Sequence, residues 1–244
     1  MSRRTALWTT VAGVTALTLV GLLVAYGIIW PNRILAAGHD VRGVDVAHYQ
    51  GTIDWDVLAD QDLDFAWIKA TEGASHTDPR FTANWAAATQ TDLLVGAYHF
   101  MSFESPGADQ AANLVAEVPA TPGTLPPVID LEFYGTYYED HPAPEDVHAI
   151  LEPLVAGIEE HYGVAPIVYA TAEAYDLYLA DRYPDLPVWI RSVAWAPRLS
   201  DGRDWTVWQY SNLDRLPGYD GVEPYIDMNV FAGTREELEA LTLD

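Results

Sequence analysis

Eight short apolar runs recur between residues 41 and 231, each bounded by turn or polar residues: 41–48, 65–71, 93–100, 127–133, 166–171, 187–192, 205–211 and 224–231. Their length and their β-branched and aromatic content predict strands. Segments of helical character separate the first five. Asp78-Pro79 followed by RFTANWAAATQ reads as a capped helix started by proline, 105–118 and 144–162 as two more, and 173–182 as a shorter one. Strands alternating with helices require a mostly parallel sheet with right-handed crossovers, and eight such strands close into a barrel. The last connections, 193–204 and 212–223, carry Pro, Gly, Asp and Asn without helical periodicity. The expected fold is therefore α/β, a TIM-like (β/α)5(β)3 barrel over residues 41–244: five βα units, then three strands without helices. Residues 236–243 read as a short terminal helix.

Ahead of the barrel, residues 6–30 form an uncharged run of 25 residues, enough to cross a hydrocarbon core of about 30 Å. Arg3 and Arg4 precede it, so the positive-inside rule keeps residues 1–5 in the cytoplasm and exports the rest. Trp8 and Trp30 stand near the two ends, where indoles favour the interface. The alternative is a signal peptide cleaved near Ala25-Tyr26-Gly27, although the apolar core of such peptides usually runs only about 7–15 residues. Residues 31–40 read as a tether. The expectation is a chain anchored by a transmembrane helix with its barrel outside the cytoplasm, or a secreted barrel if the helix is removed.

All 36 acidic residues lie beyond the run with ten of the 12 basic ones, a net −26 for the exported part. Lys69 is the one lysine, and no basic cluster exists beyond Arg3-Arg4, which excludes a nucleic-acid partner. With no cysteine in the chain, disulfides and thiolate chemistry are excluded as well. The chain is expected to be a monomer.

Function in such barrels collects at the C-terminal ends of strands. Those ends supply Asp45, His48 and Gln50, then Lys69, Thr71 and Glu72, then Tyr98 and His99, then Asp130 and Glu132. The later runs add Tyr169, Trp189 with Arg191, Trp208 with Gln209 and Tyr210, and Asp227 with Asn229. Side chains two apart on a strand face the same way, so Asp130 and Glu132 share one face while Ile129 and Leu131 point to the helices. Two confined carboxylates repel, which raises the proton affinity of one. A protonated acid beside an ionised partner is what glycosidic cleavage requires. A pair of solvated acids ending a strand would read the same way. Asp45 and Asp227 strengthen the first reading, because the first and last strands are neighbours in a closed barrel. Four converging carboxylates are also a donor set for a divalent metal. His48 and His99 do not help that case, lying on separate strands with no H-x-H or H-x-x-x-H pair. Tyr98, Tyr169, Trp189, Trp208 and Tyr210 suit the apolar faces of sugar rings, or else pack in the core.

The ordered motifs GVDVAHYQG (43–51), KATEG (69–73), GAYHF (96–100), DLE (130–132), WQYS (208–211) and DMN (227–229) resemble glycoside hydrolase family 25, the muramidases. The resemblance covers residues 41–232. It implies a flattened barrel of five βα units and three further strands. It also implies hydrolysis of the β-1,4 bond between N-acetylmuramic acid and N-acetylglucosamine in peptidoglycan, with no metal or organic cofactor. By the same match Glu132 is the general acid and Asp130 assists the substrate's own N-acetyl group. By that match Asp45 and Asp227 tune those acids, and Tyr98 and Tyr169 contact the sugar; Trp189, Arg191 and Gln209 are expected as further substrate contacts from their places at the strand ends of this sequence. Where the family continues W-I-A after the sixth strand, this chain has Trp189-Ile190-Arg191. Arg191 reads either as a partner for a carboxylate of the muramyl lactyl group or stem peptide, or as half of a salt bridge in an acidic rim. A barrel that binds peptidoglycan with little turnover, and a glycosidase for another N-acetylated polymer, are the rival functions.

Overall fold

The computed structural model describes residues 2–25 and 31–244. Its strands are β1 (Arg42–Val46), β2 (Phe65–Glu72), β3 (His76–Thr77), β4 (Leu94–Phe100), β5 (Val128–Leu131), β6 (Ile167–Thr171), β7 (Val188–Arg191), β8 (Val207–Asp214) and β9 (Ile226–Phe231). The helices are α1 (Arg3–Ala25), α2 (Pro31–Ala36), α3 (Trp55–Ala59), α4 (Phe81–Ala88), α5 (Gly107–Glu117), α6 (Pro144–Tyr162), α7 (Ala172–Tyr178) and α8 (Arg235–Glu239). The sheet order is β1-β9-β8-β7-β6-β5-β4-β2-β3, and β1 also pairs with β2. Eight strands thus close into a barrel, with β3 a short annex folded back on β2. Five βα units followed by β7, β8 and β9 reproduce the expected architecture, and the connections 193–204 and 212–223 contain no helix.

The last strand departs from the expectation. β9 pairs antiparallel with both β8 and β1. A parallel return would need a crossover of about a dozen residues or more, commonly carrying a helix, whereas residues 215–225 simply turn back at the mouth of the barrel. Asp227 therefore stands at the start of β9 rather than at its C-terminal end, and the reversal still brings it level with Asp45.

Each strand alternates between two cores. Ala66, Ile68, Ile129, Leu131, Val168, Ala170 and Val230 face the helical layer. Phe65, Trp67, Val128, Ile167, Tyr169, Trp189, Val207 and Phe231 fill the barrel interior. Trp67 and Trp189 meet there with ring centroids 5.0 Å apart. The room comes from Gly43 and Gly96: a Cβ on Gly43 would lie 2.2 Å from the Phe65 ring, and one on Gly96 2.3 Å from Trp67 Nε1. The helix α6 has Pro144 at its first turn with Glu145 and Asp146, and it ends at Gly163 in the left-handed region (φ 74°). It buries Val147, Leu151, Leu154 and Ile158, one stripe at helical spacing, and packs against α5.

The N-terminal expectations need correction. Among the described residues no helix is long and apolar enough to cross a membrane. The transmembrane helix expected over residues 6–30 is therefore not supported. The described helix α1 takes in 20 of the 25 residues of that run. Residues 26–30, with Trp30 and part of the suggested cleavage site, lie outside the described residues. Nor are residues 31–40 a free tether. Here α2 docks on β8: Asn32 is fully buried and its Nδ2 donates to Ser192 O (2.7 Å) and Tyr210 O (3.3 Å), while Arg33 pairs with Asp214 at 2.5 Å.

Candidate active site

The alternation that fills the barrel interior with Trp67, Tyr169 and Trp189 continues upward into polar side chains. Asp45, Tyr98, Asp130, Tyr169, Trp189, Gln209 and Asp227 surround a pocket of about 100 Å³, together with Glu132. It adjoins a cleft of about 830 Å³, and Glu132, Tyr169, Gln209 and Asp227 line both. Glu132 follows directly on β5, whose last residue is Leu131. All four expected acids thus share one cavity.

A fixed network holds Asp45. Asn229 Nδ2 and Gln209 Nε2 donate to Asp45 Oδ1 at 2.7 and 3.1 Å. Gln209 Oε1 accepts from the Tyr169 hydroxyl at 3.0 Å, and Asn229 Oδ1 accepts from Trp189 Nε1 at 2.9 Å. Burial raises the proton affinity of Asp45, and the two amide donors oppose the rise. Its register partner Asp227 is pushed up to about 9 by burial and by the charge of Asp45, to which it donates a hydrogen bond. A single proton residing on Asp227 lets this buried pair stand side by side.

Asp130 and Glu132 are placed differently. Asp130 is held well above the carboxylate range by burial and then by the charge of Glu132, and its Oδ1 has no hydrogen-bond partner. Burial also raises Glu132, with Arg191 and Lys69 pulling it down and Asp45 pushing it up. Among the described residues the Glu132 side chain makes no hydrogen bond or ion pair, so its carboxyl is free to meet a ligand. Tyr98 and Tyr169 are held as phenols, chiefly by burial. Lys69 stays nearby, tied to Glu72 at 2.7 Å and seated over the Phe100 ring. No group of three or more His or acidic residues is placed to hold a metal ion, among the described residues.

Several expected residues lie elsewhere. Trp208 and Tyr210 point to the outer layer, where Trp208 packs edge-on to Trp205 and donates to Ser192 O at 2.8 Å. They cannot stack on a sugar in the barrel mouth, because neighbours of the inward Gln209 necessarily face out. Trp189 lines the pocket but is 2% exposed, so it supports the site from beneath. His99 is buried in the outer layer between Thr71 and Gln110, with its affinity pushed down to about 4 by burial. His48 is bound through Nδ1 to Asp78 at 2.8 Å. The cleft also draws Tyr49, Tyr138 and Glu223 from the connections beyond the strands, and Glu173 from the first turn of α7. A reading confined to strand ends misses them. Asn229 shows the opposite case, since its spacing from Asp227 puts both on one face.

The family model for glycosyl hydrolases family 25 matches residues 44–219. The uncharacterized protein YegX of Escherichia coli O157:H7 is 32% identical over 211 residues, covering 84% of this chain and 75% of that one. Lysozyme M1 of Streptomyces globisporus is 30% identical over 219 residues, covering 82% and 71%. A solved family 25 glycosyl hydrolase from Bacillus anthracis superposes with a TM-score of 0.80 at 50% identity, over 84% of this chain and 94% of that one. With its barrel, its clustered acids and a family match running through most of its length, this chain is a glycoside hydrolase and belongs to glycosyl hydrolases family 25.

Proposed function

We propose that this chain is a lysozyme, cleaving the β-1,4 bond between N-acetylmuramic acid and N-acetylglucosamine in peptidoglycan. The observation that carries the reading is the pair Asp130 and Glu132 at the pocket, both raised in proton affinity, one with an unpartnered oxygen and the other free of ion pairs. The names of the relatives agree with it: lysozyme M1 of Streptomyces globisporus, and N,O-diacetylmuramidase of a Chalaropsis species over a shorter match.

In this reading protonated Glu132 gives its proton to the glycosidic oxygen as the bond to the anomeric carbon breaks. The substrate's N-acetyl oxygen attacks that carbon from the other face, forming a cyclic oxazolinium. Asp130 accepts the acetamido N–H, a hydrogen bond that favours its ionised form, and offsets the developing positive charge. Water then opens the ring while Glu132 takes its proton, which restores the acid. Asp45 and Asp227 keep the adjacent wall of the pocket at fixed charge, while Tyr98, Tyr169 and Gln209 present polar groups to the sugar. The barrel acts outside the cytoplasm, where its polymer lies, in turnover or remodelling of the wall.

Incubating the chain with purified peptidoglycan and analysing the fragments by mass spectrometry tests the proposal. New reducing-end muramic acid is expected from the wild type and not from Glu132→Gln. Binding to the wall without any release of fragments would replace hydrolysis by a binding role. Loss of the protein on protease treatment of intact cells reads its location.

A further inference from the structure

The cleft is acidic, lined by Glu132, Glu173, Glu223 and Asp227, and among the described residues Arg191 is the only basic side chain lining either the cleft or the pocket. It ends β7, in register with Thr171 on β6 and Gln209 on β8, both of which also line the cleft. Arg33, Arg42, Arg182, Arg203 and Arg235 each have a carboxylate within 4.0 Å. Arg191 has none, and its guanidinium makes no hydrogen bond among the described residues. The acidic-rim salt bridge that the sequence allows is therefore not formed. Its charge acts at a distance on Glu132, Asp45 and Asp227, but the N–H donors of this half-buried guanidinium meet no acceptor within the described residues and are placed to take one from a ligand in the cleft.

We propose that Arg191 reads a carboxylate on the muramyl side of the substrate, and so discriminates muramyl glycan from neutral N-acetylated glycan. This rests on the lysozyme reading above. A planar guanidinium fork matches a carboxylate bidentately. The muramyl unit differs from its partner sugar by the lactyl carboxyl, which is free in peptide-stripped glycan. In intact glycan it is joined to the stem peptide, which carries carboxylates of its own. The net charge of −24 repels such anions at long range, so their recognition has to be a local contact, and Arg191 is where one can form.

The test compares the wild type with Arg191→Gln and Arg191→Lys on three short glycans: one with free lactyl carboxylates, the same glycan with those carboxylates converted to methylamides, and one bearing stem peptides. Binding is measured by calorimetry in a Glu132→Gln background, and kcat and KM with Glu132 intact. Arg191→Gln is expected to lower the preference for free acid over methylamide at least tenfold, through KM, with Arg191→Lys in between. A loss seen with stem peptides but not with the free acid would assign the contact to the peptide's carboxylate. An unchanged acid-over-amide preference together with unchanged binding of the stem-peptide glycan overturns the proposal, as does a shifted pH profile with both intact, which would make Arg191 a group that tunes Glu132. If the glycans bind in an Arg191-dependent way and no bond is cleaved, only the hydrolysis reading falls. If bonds are cleaved with no dependence on Arg191, only this proposal falls, and if no glycan binds, both do.

Discussion

Asp45 and Asp227 face each other across the β1–β9 pair, and their different surroundings decide which one keeps the proton. Asp45 receives the amide donors of Asn229 and Gln209, while Asp227 is pushed up to about 9. A carboxyl whose affinity is higher in the folded chain supports the fold fully below its unfolded value. That support is lost as pH rises through the folded value. Stability should therefore fall between about pH 4 and pH 9, and Asp227→Asn, which keeps a donor toward Asp45, should flatten the slope. Urea midpoints at several pH values measure this, and a slope unchanged in the variant would contradict it. Glu132→Gln should cut kcat by about 10²–10⁴-fold with little change in melting temperature, as removal of a general acid does. These acids were legible in the sequence because spacing on a strand fixes which side chains share a face. The orphaned Asp130 Oδ1 was not, since a missing partner is a fact about everything that surrounds it.

The connection from β7 to β8 joins two parallel strands without a helix, so something else must order it. Arg203 does so: its guanidinium donates to the Tyr175 hydroxyl at 2.7 Å and to the carbonyls of Tyr183 and Leu186, and it pairs with Asp201 at 3.3 Å. Replacing it by Met keeps the stem but leaves those acceptors without their charged donor, so a loss of about 2–3 kcal/mol is expected in urea unfolding. A loss under about 0.5 kcal/mol, the size of an ordinary surface substitution, would show that the loop is ordered by other contacts. The helix α6 was readable end to end, since its starting proline, its apolar stripe and its terminal glycine are all local signals. The short α2 was not, because it is stabilised by the burial of Asn32 against β8 and Ser192, more than 150 residues away in sequence. The direction of β9 was equally hidden, because strand propensity carries no sense of direction.

The part of the chain that holds the barrel carries a net −26, far more acids than basic partners, so mutual repulsion should weigh on the folded state. Added salt screens it, with a Debye length falling from about 30 Å at 0.01 M to about 3 Å at 1 M. The melting temperature should rise across that range, followed by scanning calorimetry; a flat or falling curve would mean that the acids are already balanced within the fold. By itself the sequence determined the number and order of the eight barrel strands and the shared face of Asp130 and Glu132, which follow from local periodicity and spacing, while its ordered motifs carried the family resemblance. Tertiary structure alone decided that Trp208 and Tyr210 face away from the cleft, that residues 31–36 dock on the barrel, and that Arg191 is left without a carboxylate partner. Each of these depends on which surfaces meet when the sheet closes, and closure sets side-chain partners that no stretch of chain contains alone.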